Sequence, residues 1–414
     1  MKHIAIVGAG IIGLTIATEL QKRGHEITLI DENTDLAGAS TINAGWIVPA
    51  MSAPIPAPGV VTQSIKWLLK ADAPLSLTIR PNFEFMRWML GFARACSAEQ
   101  FARGFEIMSE LNEETLVHLD RLIADGLVEE HRADGLLYSF KTEASLQHEL
   151  AILEKFRPAG YRNITPLKGD ELQELESSLS TRNVSGFLLQ HERSVRPESM
   201  ISGLLDRLNQ SDFRHLVGKK VTGITQSGKR VDGVRIGEME LAADGVIVAS
   251  GVGIRKLLRT VGVRVPIESG QGYSLTWPTN GPRPTRPVYL HDDRIAITPF
   301  EGAIRASGTM HLGRTSGKLD RRKIRAIARA TRASFTSWPD DTGGLSVASG
   351  MRPVTPDGLP VIGRTAECEN LFVAGGHAML GMTLAPVTAF ELANLIETGV
   401  PSDRIAPLSP TRFK

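Results

Sequence analysis

Gly8, Gly10 and Gly13 stand in the order G-x-G-x-x-G, and a carboxylate pair, Asp31-Glu32, follows one amphipathic stretch and one apolar run later. Residues of these types at this spacing can hold a dinucleotide. Gly8 permits a tight turn, Gly10 lets the backbone approach a pyrophosphate, and Gly13 lets a helix pack closely on the preceding strand. Ala9, Ile11 and Ile12 complete the loop, whose N–H groups and positive helix-dipole end face the phosphates. Asp31 or Glu32 then accepts hydrogen bonds from ribose hydroxyls. A carboxylate here, rather than an arginine, argues against a 2′-phosphate and so against NADP. NAD and FAD remain open.

The elements that must position this loop surround it. Residues 2–7 are apolar and β-branched, as a buried parallel strand requires. Residues 14–23 have helical spacing, with Ile12, Ile16, Ala17 and Leu20 on one face and Gly24 as the stop. Glu26–Ile30 reads as a second strand. Residues 244–251 form a third buried strand ending in Ala249-Ser250-Gly251, which returns the chain to the same sheet. Near the C-terminus, residues 370–375 are an apolar strand broken by Gly375-Gly376-His377, and residues 384–398 are a helix whose start is set by Pro386. Such a strand–glycine–helix unit aims a second helix N-terminus at something negative.

A chain of 414 residues is too long for one simple core, so two interleaved domains are expected. Hydrophobic residues make up 42% and charged residues 22%, and the net charge is +2, which gives no electrostatic sign of a nucleic-acid partner. The two cysteines, Cys96 and Cys368, are far apart and form no C-x-x-C. Neither a zinc cage nor a dithiol centre is supported, no metal site is expected, and a reducing cytoplasm suits the chain. The N-terminal apolar run is interrupted by Gly8 and Gly10 and does not read as a signal peptide. No apolar run reaches the roughly eighteen residues of a membrane span. The expected location is cytoplasmic, with a peripheral contact at the inner membrane as its only extension.

Between these landmarks the chain alternates in character. Residues 39–46, A-S-T-I-N-A-G-W, are small and polar. They can lie against a planar cofactor with Ser40 and Asn43 as donors, or make a plain Asx-type turn. Pro49, Pro54, Pro56 and Pro58 enforce an extended crossing loop or lid. Residues 61–95 mix Trp67, Phe83, Phe85, Trp88 and Phe92 with basic residues and suit two amphipathic helices broken around Pro74 and Pro81. They cap the core of a second domain, with a membrane-resting surface as the second reading. Residues 98–125 read as one helix ended by Gly126, residues 143–157 as another, and Pro197 opens a further helix. Val221 starts a hairpin across Ser227-Gly228. Residues 266–312 break into short β-rich segments that make an antiparallel sheet, and residues 320–335 form a basic helix with a solvated face.

Four separated stretches then take on a familiar form. They are VGAGIIG…LIDE; ASTINAGWIVPAMSAPIPAPGV with SIKWLLKADAPL; GYSLT…IAITPF…IRASGTM; and SGMRPVTPDGLPVIG…NLFVAGGHAMLGMTLAP. In this order they resemble the D-amino-acid oxidase/dehydrogenase superfamily of flavoproteins, its glycine oxidase-like group, and within it the bacterial D-amino-acid dehydrogenase small subunits. The resemblance implies an α/β fold: a Rossmann-type FAD-binding domain with a second, discontinuous α+β substrate domain built on an antiparallel sheet. Residues 1–80, 191–265 and 346–414 would form the first, and residues 81–190 and 266–345 the second. It implies noncovalent FAD, held by Gly8, Ala9, Gly10, Ile11, Ile12, Gly13, Asp31 or Glu32, Ser40, Asn43, Ala44 and Gly45. Val221 would offer its backbone to adenine. Ala249 and Gly251 would pack on the dinucleotide, and Gly376, Gly381, Met382 and Thr383 would face the flavin pyrimidine. Sarcosine oxidases tether the flavin through a cysteine just before T-P-D; here Gly350 stands at about that place, with no cysteine near.

The implied reaction is oxidative deamination of neutral D-amino acids to 2-oxo acids and ammonia, by hydride transfer from Cα to flavin N5, with electrons passed to a quinone-type acceptor. A cis-4-hydroxy-D-proline or D-proline dehydrogenase and a D-amino-acid oxidase share the motifs. A flavin subunit docked in a larger electron-transfer complex is the alternative of another class, and the oligomeric state is open. Arg352, at the motif position, is the expected carboxylate ligand, because guanidinium binds carboxylate in a bidentate fork. Tyr273, Tyr289 and His291 are candidates for the pocket roof, and His377 for a contact with flavin or substrate. No general base stands out, and none is required if the neutral amine donates hydride directly. Where glycine oxidase carries an arginine after G-H, this chain has Ala378-Met379-Leu380, which favours neutral or cyclic substrates.

Overall fold

The computed structural model describes residues 1–34, 38–51, 53–60, 75–155, 164–210, 213–314 and 316–414. The first of the two amphipathic helices expected before residue 95, with Trp67, lies outside these residues.

His3–Val7, Glu26–Ile30, Gly245–Val248 and Leu371–Gly375 form the expected parallel sheet. Phe213–Leu216 adds a parallel edge beside Glu26–Ile30, and Val361–Arg364 closes the other edge antiparallel. The strands are apolar throughout because both faces are covered. Ile4, Ile6, Ile27, Leu29 and Ile247 meet the helices Ile11–Lys22 and Gly381–Thr398 on one face. Ala5, Val7, Ile30, Val246 and Val248 meet a three-stranded sheet on the other, built from Val221–Ser227, Arg230–Ile236 and Met239–Ala242.

Among the described residues the second sheet has nine strands, and its central strands are Glu268–Pro278, Ala303–Leu312 and Ile295–Phe300. It is antiparallel except where Val288–Leu290 pairs with Leu136–Phe140 and where Leu75–Leu77 pairs with Ala303–Leu312. Its alternating side chains separate two environments. Tyr273, Leu275, Trp277, Ile297, Ile304 and Ala306 point to a back face covered by Ile327 and Ala328 of the helix Arg321–Ser334. Tyr138, Phe187, Tyr289 and Ala296 point to the front, against Trp46, Ala44 and Leu380.

Several expectations are corrected. Ser346–Val354, placed in sequence with the last FAD-binding segment, pairs along Glu268–Pro278 in the large sheet. Residues 98–125 are two helices, Ala98–Asn112 and Thr115–Ala124, whose junction buries an Asn112–Thr115 hydrogen bond. Their Met108, Leu111 and Leu119 fill the core of the parallel-sheet unit, not that of the substrate domain. The last helix begins at Gly381, ahead of Pro386, which lies inside it and leaves the Met382 carbonyl without its intrahelical donor. In Phe83–Ala95, Phe85, Trp88 and Phe92 are buried, and Trp88 donates to the Val354 carbonyl (3.1 Å), so this helix braces the strand that carries Arg352.

A Cβ on Gly13 would lie 1.8 Å from the Gly8 carbonyl oxygen. Gly13→Ala is therefore expected to lower stability by about 3 kcal/mol, read from urea denaturation. An unchanged midpoint would contradict this close approach of helix and strand.

Candidate active site

The glycine-rich turn is fixed by backbone hydrogen bonds. Gly8 N–H donates to Ile30 O and Ala249 N–H to Val7 O, both at 2.8 Å. Gly8 has φ +111°, and a Cβ there would lie 2.7 Å from the Ala249 oxygen, so only glycine lets the turn touch the neighbouring strand end. The Asp31 carboxylate accepts the Ala9 N–H (2.7 Å) and the Asn33 N–H (2.8 Å), which sets it at the turn. Glu32 points elsewhere and pairs with Lys220 at the surface. Lys219 N–H donates to Asp31 O (2.8 Å), so the chain entering Val221 passes beside the acid. Gly251 closes this wall with φ +55°.

Two helix N-termini converge here. Gly10 and Leu380 cap Ile11–Lys22 and Gly381–Thr398 without a side-chain hydrogen bond. The would-be Cβ of Gly381 lies 3.9 Å from Ile11 Cγ2. Ser40 Oγ accepts the Ile11 N–H (3.1 Å), while the N–H groups of the first turn at Gly381, Met382 and Thr383 lack intrahelical acceptors. Uncapped donors, a glycine at each end and a fixed carboxylate fit the diphosphate and ribose of a dinucleotide. When bound there, such a group meets backbone donors rather than basic side chains.

Residues 39–46 cross the front face of the large sheet. A Cβ on Gly350 would lie 2.7 Å from Ile42 Cδ1 and 2.9 Å from Ala39 Cα. Arg305 donates to Thr41 O (3.1 Å), Asn43 O (2.9 Å) and Thr276 Oγ1 (3.0 Å), and pairs with Glu198. Thr298 Oγ1 donates to Ala44 O (2.7 Å) and accepts from Trp46 Nε1 (2.9 Å). Thr383 Oγ1 donates to Trp46 O (3.1 Å), which ties the crossing segment to the last helix. Asn43 Oδ1 accepts the Gly45 N–H (2.8 Å), the Asx turn that was one of the two readings of this stretch. Gly45 has φ +77°, and a Cβ there would strike the Val195 oxygen at 2.0 Å. Arg305 was not singled out in the sequence; the signal was a lone arginine inside an apolar strand.

Arg352 extends along the same front face. A Cβ on Gly272 would lie 2.3 Å from its Cζ, so the guanidinium rests on the Gly272 backbone. Its Nη1 donates to Thr309 O at 2.7 Å. The residue keeps some exposure, yet desolvation of the guanidinium lowers its pKa to about 10. Among the described residues no carboxylate pairs with it.

The other candidates divide. Tyr273 belongs to the back face, with its hydroxyl on Gln271 (3.1 Å), and does not join Arg352. Tyr289 is on the front face, its ring edge-on to Trp46 (5.7 Å), but its hydroxyl accepts from Arg294 (3.3 Å). His291 pairs with Glu149 (3.1 Å) in that same buried polar group. His377 is buried, with Nε2 on Thr388 Oγ1 (3.1 Å), and burial lowers its pKa to about 3. It is neutral at physiological pH and sits behind the Gly376 turn. Gly376 itself has φ +74°, and a Cβ there would meet Thr355 Cγ2 at 2.8 Å.

Comparison with known proteins gives a consistent picture. Residues 3–395 match the family described as DAO, FAD dependent oxidoreductase. A D-amino acid dehydrogenase of Rhizorhabdus wittichii is 29% identical, with 99% of this chain and 100% of the relative covered. A glycine oxidase structure from Geobacillus kaustophilus superposes with a TM-score of 0.77 at 20% identity, covering 100% of this chain and 99% of that one. The L-proline dehydrogenase structure from P. horikoshii gives 0.72 at 17% identity, covering 99% and 97%.

Two outcomes follow from this geometry. Cys368 lies in the core beside Gln226, and Cys96 ends the helix Phe83–Ala95, so neither is on the segments lining the site. Acid precipitation should release the flavin into the supernatant; a yellow pellet would show a covalent link. For His377, the folded pKa of about 3 lies below the ordinary 6.5, so the unfolded chain takes up the proton first as pH falls. The stability it contributes is present above about pH 6.5 and is lost towards pH 3. His377→Asn should show a smaller drop in Tm on acidification than the parent, and an equal drop would contradict the buried neutral imidazole.

Proposed function

The chain belongs to the DAO family of FAD-dependent oxidoreductases, and on that premise we propose that it oxidises neutral D-amino acids to 2-oxo acids and ammonia, passing electrons to a quinone-type acceptor. One observation carries the reading. Arg352 is a desolvated guanidinium with a backbone carbonyl, and no described carboxylate, as its hydrogen-bonding partner. A charge left in that state is completed by an anionic ligand, and a carboxylate matches its fork.

The substrate carboxylate docks on Arg352, which directs the rest of the molecule across the front face. Further along that face Trp46, Tyr289, Ala44 and Leu380 pack together as a surface suited to an apolar side chain or a ring, and the arginines near it, Arg294 and Arg305, are already engaged with Tyr289 and Glu198. The hydroxyl of Tyr289 is held by Arg294, so its ring rather than its oxygen faces Trp46. His377 is neutral and committed to Thr388, and no other imidazole lies beside Arg352 among the described residues. The amine therefore enters in its neutral form, and no side chain removes the Cα proton. FAD, when bound, supplies the two-electron oxidant that takes hydride from Cα. The uncapped N-terminus at Gly381 would offer fixed positive potential to negative charge developing on a bound flavin, without moving a side chain. The D preference draws support from the Rhizorhabdus relative, whose name is D-amino acid dehydrogenase.

The apolar surface of Trp46, Tyr289 and Leu380 also suits a cyclic imino acid, and the P. horikoshii L-proline dehydrogenase has the same fold. The test is anaerobic reduction of the flavin by a panel of D- and L-amino acids that includes proline and hydroxyproline isomers. Bleaching by D-alanine and similar acids, with fast recovery on adding quinone and slow recovery in air, is expected. Bleaching by cyclic substrates alone would move the assignment to a proline-type enzyme, and no bleaching by any amino acid would remove the proposed reaction. Arg352→Met should keep its flavin and lose about 10²–10³ in kcat/KM. Unchanged kcat/KM would sink the carboxylate role.

A further inference from the structure

Among the described residues, three that are not glycine have left-handed backbone angles: Arg294 (φ +56°), Thr309 (φ +60°) and Ala378 (φ +47°). All three adjoin the front-face site. Arg294 holds the Tyr289 hydroxyl, and Ala378 N–H donates to Pro353 O (3.0 Å), next to Arg352. Thr309 is the most unusual, because a β-branched residue is rarely tolerated at positive φ.

Its setting accounts for the distortion. Glu268–Pro278 and Ala303–Leu312 pair in register at Gln271↔His311 and again at Tyr273↔Gly308. Between these pairs Gly272 alone opposes Thr309 and Met310, which is a β-bulge with one extra residue. The bulge turns the Thr309 carbonyl onto Arg352 Nη1 at 2.7 Å. The residue opposite the bulge is the glycine whose Cβ would lie 2.3–2.5 Å from the guanidinium carbon and both terminal nitrogens. One strand thus removes a side chain and the other adds a residue at the same point, and the guanidinium fills the place they make. The Thr309 hydroxyl is buried and makes no hydrogen bond. It is the backbone of Thr309, not its side-chain oxygen, that meets Arg352.

We infer that the Gly272–Thr309 bulge is the seat that orients Arg352, and that Thr309 and Gly272 are positioning residues which set affinity for the substrate carboxylate. The inference rests on the reading of Arg352 as a carboxylate ligand. With Nη1 anchored on a neutral carbonyl, the guanidinium keeps its charge uncompensated and its orientation fixed, so less ordering remains when the carboxylate arrives. A seat made of backbone also leaves no acid to compete with the substrate.

The test uses flavin-loaded protein and cyclopentanecarboxylate, a carbocyclic acid with no amine to oxidise, titrated by its perturbation of the flavin spectrum. Cyclopentanecarboxamide serves as the uncharged control. Thr309→Gly accepts the same φ without strain but frees the carbonyl; its Kd for the acid and its KM for substrate should rise about tenfold, with kcat within about twofold. Thr309→Asn, which favours the left-handed region, should restore near-parental values. Gly272→Ala displaces the guanidinium and should weaken the acid about a hundredfold, with flavin content unchanged. Parental Kd and KM in Thr309→Gly would overturn the inference, even if Gly272→Ala fails to fold. If Arg352→Met binds the acid as tightly as the parent, the fault lies instead with the carboxylate reading of Arg352. Equal weakening of acid and amide in Thr309→Gly would mean general damage to the pocket and would also overturn it.

Discussion

A partly desolvated guanidinium, seated on backbone with no described carboxylate beside it, is the constraint on which this structure turns. Lowering the pKa of Arg352 to about 10 means that its charged form is disfavoured by roughly 3 kcal/mol relative to water. That cost persists because the surroundings fix the group rather than neutralise it. The strand Ser346–Val354 delivers it, Gly272 gives it space, and the helix Phe83–Ala95 braces the strand end through Trp88. An acid in the same place would remove the cost and, with it, the reason to bind an anion.

The dinucleotide side follows a related logic with the backbone as the charged element. Two helix N-termini, at Gly10 and Leu380, converge on one place, the first with its Ile11 N–H taken by Ser40 and the second without a side-chain cap, and Asp31 is fixed there by Ala9 and Asn33. Between the two sides runs the segment 39–46, stitched down by Arg305, Thr298 and Thr383. The segment therefore joins the large sheet to the last helix. A shift of this segment would be felt at both.

What the sequence made legible follows from how each feature is encoded. The glycine loop was readable because each glycine answers a steric demand, and Gly8 and Gly13 meet carbonyl oxygens within 2.7 Å of where a Cβ would be. The parallel sheet was readable because doubly buried strands are continuous apolar runs. Arg352 was readable only through its motif. Tyr273 lies with Leu275 and Trp277 on the back face, because side chains alternate along the strand and residue type alone does not tell which face is which. Arg305 gave no more than a lone arginine inside an apolar strand, and Thr309 gave no local signal, since it acts through its own backbone carbonyl on a residue distant in sequence. The pairing of Ser346–Val354 with Glu268–Pro278 was not legible, because its polar, half-buried pattern does not announce a partner. The start of the last helix was set too late because Pro386 is tolerated inside it.

The most direct test of the account compares an amino acid with its own amide. Anaerobic flavin reduction would be followed with D-alanine and D-alaninamide in the parent protein and in Arg352→Lys, which keeps the charge and loses the fork. The account predicts reduction by D-alanine, little or none by the amide, and a marked loss for D-alanine in the lysine variant. Equal reduction by acid and amide in the parent would contradict it, because the unpaired guanidinium would then have no part in holding the substrate.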